Sequence, residues 1–197
     1  MTGRSGSDEG EIQGRQLILR EAARLFLTTG YSRTSISQIA EATGMVKSAI
    51  YHHFPGKEQL YLAVIAELAG RLGTRLQEAA TGGTWRVQLD GAARFLAQFY
   101  VEEQIDLPSI LRDLGLVTST DFVTWRDQLA PVVLAPITRA IEQGIAAGEI
   151  RPIDPLWASW LLAVMAGVSS RPMTRDPQID ATGQSIELFV RGIEVSG

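Results

Sequence analysis

The chain has 197 residues, of which 45% are hydrophobic and 20% charged. That is enough apolar content to bury a sizeable core in one or two compact domains, and it excludes a disordered protein. The complete lack of cysteine excludes a disulfide framework, a thiolate metal site and a cysteine nucleophile. The net charge of −4 is unevenly spread: residues 1–60 carry seven basic and six acidic groups, net +1, whereas residues 61–197 carry eleven and sixteen, net −5. A polyanionic partner would therefore be met by the N-terminal part, where cations at the contact surface matter more than the total.

In chain order, MTGRSGSDEGE at the N-terminus has no apolar run of the signal-peptide kind, and its Gly, Ser and acidic content reads as a flexible tail. A cytoplasmic location is the expectation. From about Gln13 to Thr28 the residues Ile18, Ala22, Leu25 and Phe26 keep helical spacing, and Gly30 is placed to end that helix. Arg15, Arg20 and Arg24 on it suit a solvated face, whereas Arg33 is a candidate phosphate contact.

The stretch Thr34–Leu60, TSISQIAEATGMVKSAIYHHFPGKEQL, reads as helix, tight turn and second helix. Ser35 and Gln38 have capping-box spacing, Ile36, Ile39 and Ala40 share one face, and Gly44 stands where a left-handed residue would stop the first helix. Ala40, Gly44 and Ile50 then fall where a helix-turn-helix needs a small crossing residue, a turn glycine and an aliphatic plug. Lys47, Ser48, Tyr51 and His52 point outward. The only two lysines and two histidines of the chain all lie between Lys47 and Lys57. Ammonium groups suit phosphate oxygens, and hydroxyl and imidazole groups add directional bonds to backbone or base edges. The residues thus read as a DNA-reading device, the alternative being a solvated helix face with a hydrophobic back.

Gly30–Tyr31, then ISQIAEATG, then IYHHFPGKEQL resemble the N-terminal domain of the TetR-type (tetracycline repressor-like) transcriptional regulators. The resemblance in motif spans about residues 11–60, and YHHFPGKEQL is its most specific part. It implies DNA contacts from Thr34, Val46, Lys47, Ser48, Tyr51, His52, His53 and Lys57. Val46 stands where the family commonly has a phosphate-binding serine, Ser48 where it often has glycine and Ala49 where it often has threonine, so two hydroxyls are missing and one is gained. The resemblance also implies an effector pocket in the C-terminal half.

Lys57 begins a long helix whose stripe of Leu60, Tyr61, Val64, Ile65, Leu68, Leu72 and Leu76 runs towards Ala80. About 24 helical residues span roughly 36 Å. TGGT at 81–84 is a loop, and helical patterns follow at about 85–103, 108–114, 119–129, 131–147, 155–167 and 184–195. Pro136 is expected to bend the fourth of these and Gly148 to cap it, while residues 171–183 read as a loop. Trp85, Phe95, Phe99, Tyr100, Leu111, Leu114, Phe122 and Trp125 either line an apolar ligand cavity or fill the core. Ala140, Gly144, Ala147, Ala158, Ala163, Ala166 and Gly167 are small enough for close helix approach, and a dimer bundle is the natural use.

No phosphate-binding P-loop, nucleophile elbow or His-Glu-x-x-His motif is present, and adjacent His52 and His53 diverge on a helix, so neither catalysis nor a metal or cofactor is expected. No run is long and apolar enough for a membrane span. The reading is an all-α regulator: residues 1–56 carry a tail and a helix-turn-helix, and residues 57–197 bind an effector and dimerise. The expected partners are a pseudo-palindromic double-stranded DNA operator, a small apolar or amphipathic ligand that releases it, and a second copy of the chain. The competing reading is a dimeric DNA-binding regulator without a ligand, controlled by a protein partner or by abundance.

Overall fold

The computed structural model describes residues 5–117, 130–170 and 180–195. Among these residues it is all-α, with a single isolated bridge between Ile150 and Glu194 in place of any strand. The helices are α1 (Ser5–Thr29), α2 (Ile36–Thr43), α3 (Lys47–His53), α4 (Lys57–Ala79), α5 (Trp85–Glu102), α6 (Leu107–Val117), α7 (Ala135–Ala146), α8 (Pro155–Ser169) and α9 (Ala181–Ile193). The helix expected at 119–129, with Phe122 and Trp125, lies outside the described residues, as do residues 171–179 of the expected loop.

Three boundaries correct the sequence reading. Helix α1 begins at Ser5, inside the stretch read as a tail. Once Ile18, Leu19, Ala22 and Phe26 are packed, extending the helix towards its N-terminus fixes one residue per hydrogen bond. The helix expected over 131–147 is interrupted at Leu134, and α7 starts afresh with Pro136 in its first turn, the position where a missing N–H costs nothing. Gly148, at φ +73°, follows α7 as its left-handed cap. Helix α9 starts at Ala181 because the carboxylate of Asp180 accepts from the Gly183 N–H and caps it.

The chain divides into two compact units: residues 1–68 with 109–118, and residues 69–108 with 119–197. The sequence reading places a division by role at 56/57. Packing instead groups the start of α4 and the body of α6 with the helix-turn-helix. In the first unit Ile18, Ile39, Ile50, Leu60, Tyr61 and Leu114 are the fully buried large side chains. In the second, α5 packs against α7, α8 and α9, and α8 against both α7 and α9.

The second unit also corrects the expected dimer surface. Ala140, Gly144, Ala158, Ala163, Ala166 and Gly167 are buried within the unit, and of the seven small residues only Ala147 is exposed. Their size serves helix crossings inside one chain. A Cβ on Gly144 would run into the Ile150 side chain and stand 3.2 Å from the Trp85 ring, and one on Gly167 would stand 3.2 Å from the ring of Tyr100.

Candidate nucleic-acid interface

The reading pair is built locally. Ser35 Oγ accepts from the Gln38 N–H while Gln38 Oε1 accepts from the Ser35 N–H, so two otherwise orphaned donors at the start of α2 are satisfied. Gly44 ends α2 at φ +68°, with its N–H directed to the Ala40 and Glu41 carbonyls. A side chain at that φ would be strained. Helix α3 then restarts with Val46 extended as its N-terminal flank, and Ile50 is the one residue of its seven that is buried. Phe54 closes it, and the Arg15 guanidinium lies 5.1 Å from the Phe54 ring centroid.

This anchoring leaves Val46, Lys47, Ser48, Tyr51 and His52 exposed together on α3. Tyr51 and Val46 are 50% and 69% exposed. His52 Nε2 lies 3.7 Å from the Glu11 carboxylate of α1. His53 is half-buried: its Nε2 would be 3.4 Å from a Cβ on Gly14, so the ring packs on α1. Arg33 is exposed, with its Nε donating to the Thr29 carbonyl at 2.8 Å.

Two expected contact residues stand differently. Thr34 is 2% exposed, and its hydroxyl donates to the Gly30 carbonyl at 2.9 Å and is 3.3 Å from that of Leu25. Its proton is spent on the turn between α1 and α2, which removes Thr34 from the surface set. Lys57 is half-buried, with Nζ 4.2 Å from the Tyr31 ring centroid. Withdrawal from water lowers its pKa, and the charge of Asp113 works against that fall.

Asp113, which has no assigned role in the sequence, is a buried charge. It is 7% exposed, and its Oδ2 accepts from the backbone N–H of Tyr31 at 2.9 Å. Its signal was available: it falls three residues after Ile110 and next to Leu114, both buried, hence on the inner face of α6.

Of the residues proposed for a ligand, Leu111 and Leu114 belong to the first unit and Trp85, Phe95, Phe99 and Tyr100 to the second, while Phe122 and Trp125 lie outside the described residues. Trp85 is buried at the start of α5 with its Nε1 donating to Glu149 at 2.7 Å, roughly four helical turns from Tyr100. Phe95 and Phe99 do meet, at 5.7 Å between ring centroids, and the Arg75 guanidinium lies 5.1 and 5.5 Å from them.

The model of the bacterial regulatory proteins of the tetR family matches residues 18–64, which contain α2, the turn and α3. The HTH-type transcriptional repressor AcnR of Corynebacterium efficiens is 30% identical over 167 residues, covering 83% of this chain and 84% of that one. The chain belongs to the TetR family. Among solved structures, a bacterial regulatory protein in the tetR family from Rhodococcus RHA1 superposes with a TM-score of 0.72 at 22% identity over 93% of this chain and 98% of that one. AibR, crystallised with isovaleryl coenzyme A and operator DNA, superposes with a TM-score of 0.62 at 22% identity, covering 91% and 97%. This TetR-family protein is a helix-turn-helix, DNA-binding transcriptional regulator. Its relatives are transcriptional regulators rather than enzymes.

Proposed function

We propose that this regulator is a homodimeric repressor that reads a pseudo-palindromic operator through α3 and leaves it when a small ligand occupies the second unit. The exposed polar face of α3 carries the reading. Lys47 and Arg33 contact phosphates, with Lys57 at the edge, while Ser48, Tyr51 and His52 reach base edges or backbone and Val46 offers an apolar contact. His53, turned onto α1, supports the helix more than it reads. Residues 1–56 act as the reading part and 57–197 as the sensing and dimerising part, whatever the grouping by packing. Repression is supported by the AcnR relatives named as repressors.

The dimer surface is assigned to the outer faces of α8 and α9 rather than to the buried small residues. Trp157, Leu161 and Val168 are 63, 38 and 41% exposed and recur at positions that share one face of α8, and Leu188 on α9 is 71% exposed. Helix α8 bears no charged residue at all. An apolar face of this kind calls for a partner surface, and a second copy supplies it with two-fold symmetry. That symmetry turns the two α3 helices to equivalent half-sites, centred about 34 to 36 Å apart or a multiple of that.

The ligand is apolar or amphipathic, taken up near Phe95, Phe99 and Tyr100; the neighbour AibR, with its acyl coenzyme A, supports a ligand of this kind. Among the described residues no helix is long and apolar enough to cross a membrane, and no group of three or more histidines or acidic residues could hold a metal ion. Selection of bound DNA from a random pool, followed by a thermal-shift screen of acyl-thioester and other small apolar compounds with the selected operator, tests the whole reading. Two-fold-related half-sites and a compound that both raises the unfolding temperature and releases DNA are expected. Selected sequences without two-fold relation would sink the dimeric reading, and compounds that bind without moving operator affinity would sink the sensor.

A further inference from the structure

We infer that Asp113 is a positioning residue for DNA reading: from α6 it fixes the turn between α1 and α2, and so sets operator affinity without touching DNA. The inference rests on the DNA-reading assignment above.

The bond from the Tyr31 N–H to Asp113 Oδ2 joins residues 82 positions apart at 2.9 Å. It reaches the turn at its tightest point, because Gly30 stands at φ +90° and a Cβ there would lie 3.6 Å from the same oxygen. From the other side, the Thr34 hydroxyl donates to the Gly30 carbonyl. The turn that leads through Arg33 and Ser35 into α2 is thus held by one buried side chain on each flank.

The Tyr31 ring extends the same arrangement to α1 and α4. It lies 6.0 Å from Phe26 and 5.0 Å from Tyr61, which is itself edge-on to Phe26 at 5.1 Å, and the Lys57 ammonium stands over it. The Tyr61 hydroxyl is buried with no hydrogen-bond partner among the described residues, and burial first, then the Asp113 charge and Tyr31, push its pKa up. One carboxylate therefore meets the turn between α1 and α2, and the Tyr31 ring carries the arrangement on to Phe26 of α1 and Tyr61 of α4. An aliphatic residue at 113 would occupy this place with no charge to strip of water. What the carboxylate adds is direction: a charged acceptor holds the turn's N–H at one point.

If operator binding requires the anchored turn, the two are linked reciprocally: losing the anchor weakens the operator complex, and the operator strengthens the anchor. Asp113→Ala removes the acceptor, and Asp113→Asn keeps a carbonyl acceptor in nearly the same shape. Full-length variants would be compared by operator affinity, affinity for unrelated duplex DNA and amide exchange at Tyr31, at a temperature where circular dichroism reports all of them folded. Asp113→Ala is expected to lose about tenfold in operator affinity while binding unrelated DNA as wild type, Asp113→Asn to recover most of that loss, and the wild-type Tyr31 amide to exchange more slowly with operator present. Unchanged operator affinity in Asp113→Ala, an asparagine variant as weak as alanine, or Tyr31 exchange indifferent to operator would each overturn the inference. Should Asp113→Ala not fold, the asparagine variant and the wild-type exchange decide alone. A wild-type chain that binds no selected DNA would instead remove the reading assignment itself.

Discussion

Helices α3 and α8 leave opposite chemistry outside once their inner faces are packed. Helix α3 commits only Ile50 to the core and presents lysine, serine, tyrosine and histidine. Helix α8 commits Ala158, Leu162, Ala163, Ala166 and Gly167 and still presents Trp157, Leu161 and Val168. A hydrophobic residue inside needs no explanation, whereas an outward face that remains polar and cationic, or apolar and uncharged, identifies the kind of surface that completes it. Here the two faces fit the operator DNA and the second copy of the chain proposed above.

The largest effect should come from the side chain on which α3 rests. Ile50→Ala, at a fully buried site, is expected to cost about 2 to 5 kcal/mol in urea unfolding. A loss below about 1 kcal/mol would mean that α3 is held by something other than its plug. On the contrasting face, Trp157→Arg is expected to weaken dimerisation by at least about thirtyfold in sedimentation equilibrium, the loss typical of a central aromatic anchor. The isolated chain should keep its helicity, because Trp157 is 63% exposed. A variant that remains dimeric at micromolar concentration would move the interface off α8.

Lys47→Ala sharpens the other side of the comparison. A phosphate contact carries no base identity, so affinity should fall alike for operator and unrelated DNA, with the salt slope reduced by about one. An unaltered slope would remove Lys47 from the phosphate contacts. The smallest effect is expected at Asp180, the cap of α9. Its carboxyl is held below the ordinary carboxylate range by the Gly183 N–H and, next, by the Arg94 guanidinium. A depressed native pKa contributes stability above the unfolded value and loses it as pH falls through the native one, so this contribution fades below about pH 4. Asp180→Ala should cost about 1 kcal/mol at neutral pH and little in strong acid, measured by thermal unfolding across that range. A cost independent of pH would assign the effect to something other than the ionised cap.

Sequence by itself determined what is decided within a few residues. The Ser35–Gln38 capping box, the left-handed Gly44 and the buried Ile50 sit where the stretch TSISQIAEATGMVKSAI requires, because capping, turn conformation and helical periodicity are short-range properties. Most of the outward set on α3 followed from the same periodicity. What only the tertiary structure decided are the burials. Thr34 reads as a DNA-contacting hydroxyl until Leu25 and Gly30 offer it their carbonyls, and Asp113 has no role until the Tyr31 N–H is brought to it from 82 residues away. The alanines and glycines of α7 and α8 carry the pattern of close helix approach without saying which helix approaches, and in the folded second unit they meet their own chain. A residue's spacing fixes the face of the helix it occupies, but whether that face meets water, the same chain or another one depends on contacts distant in sequence.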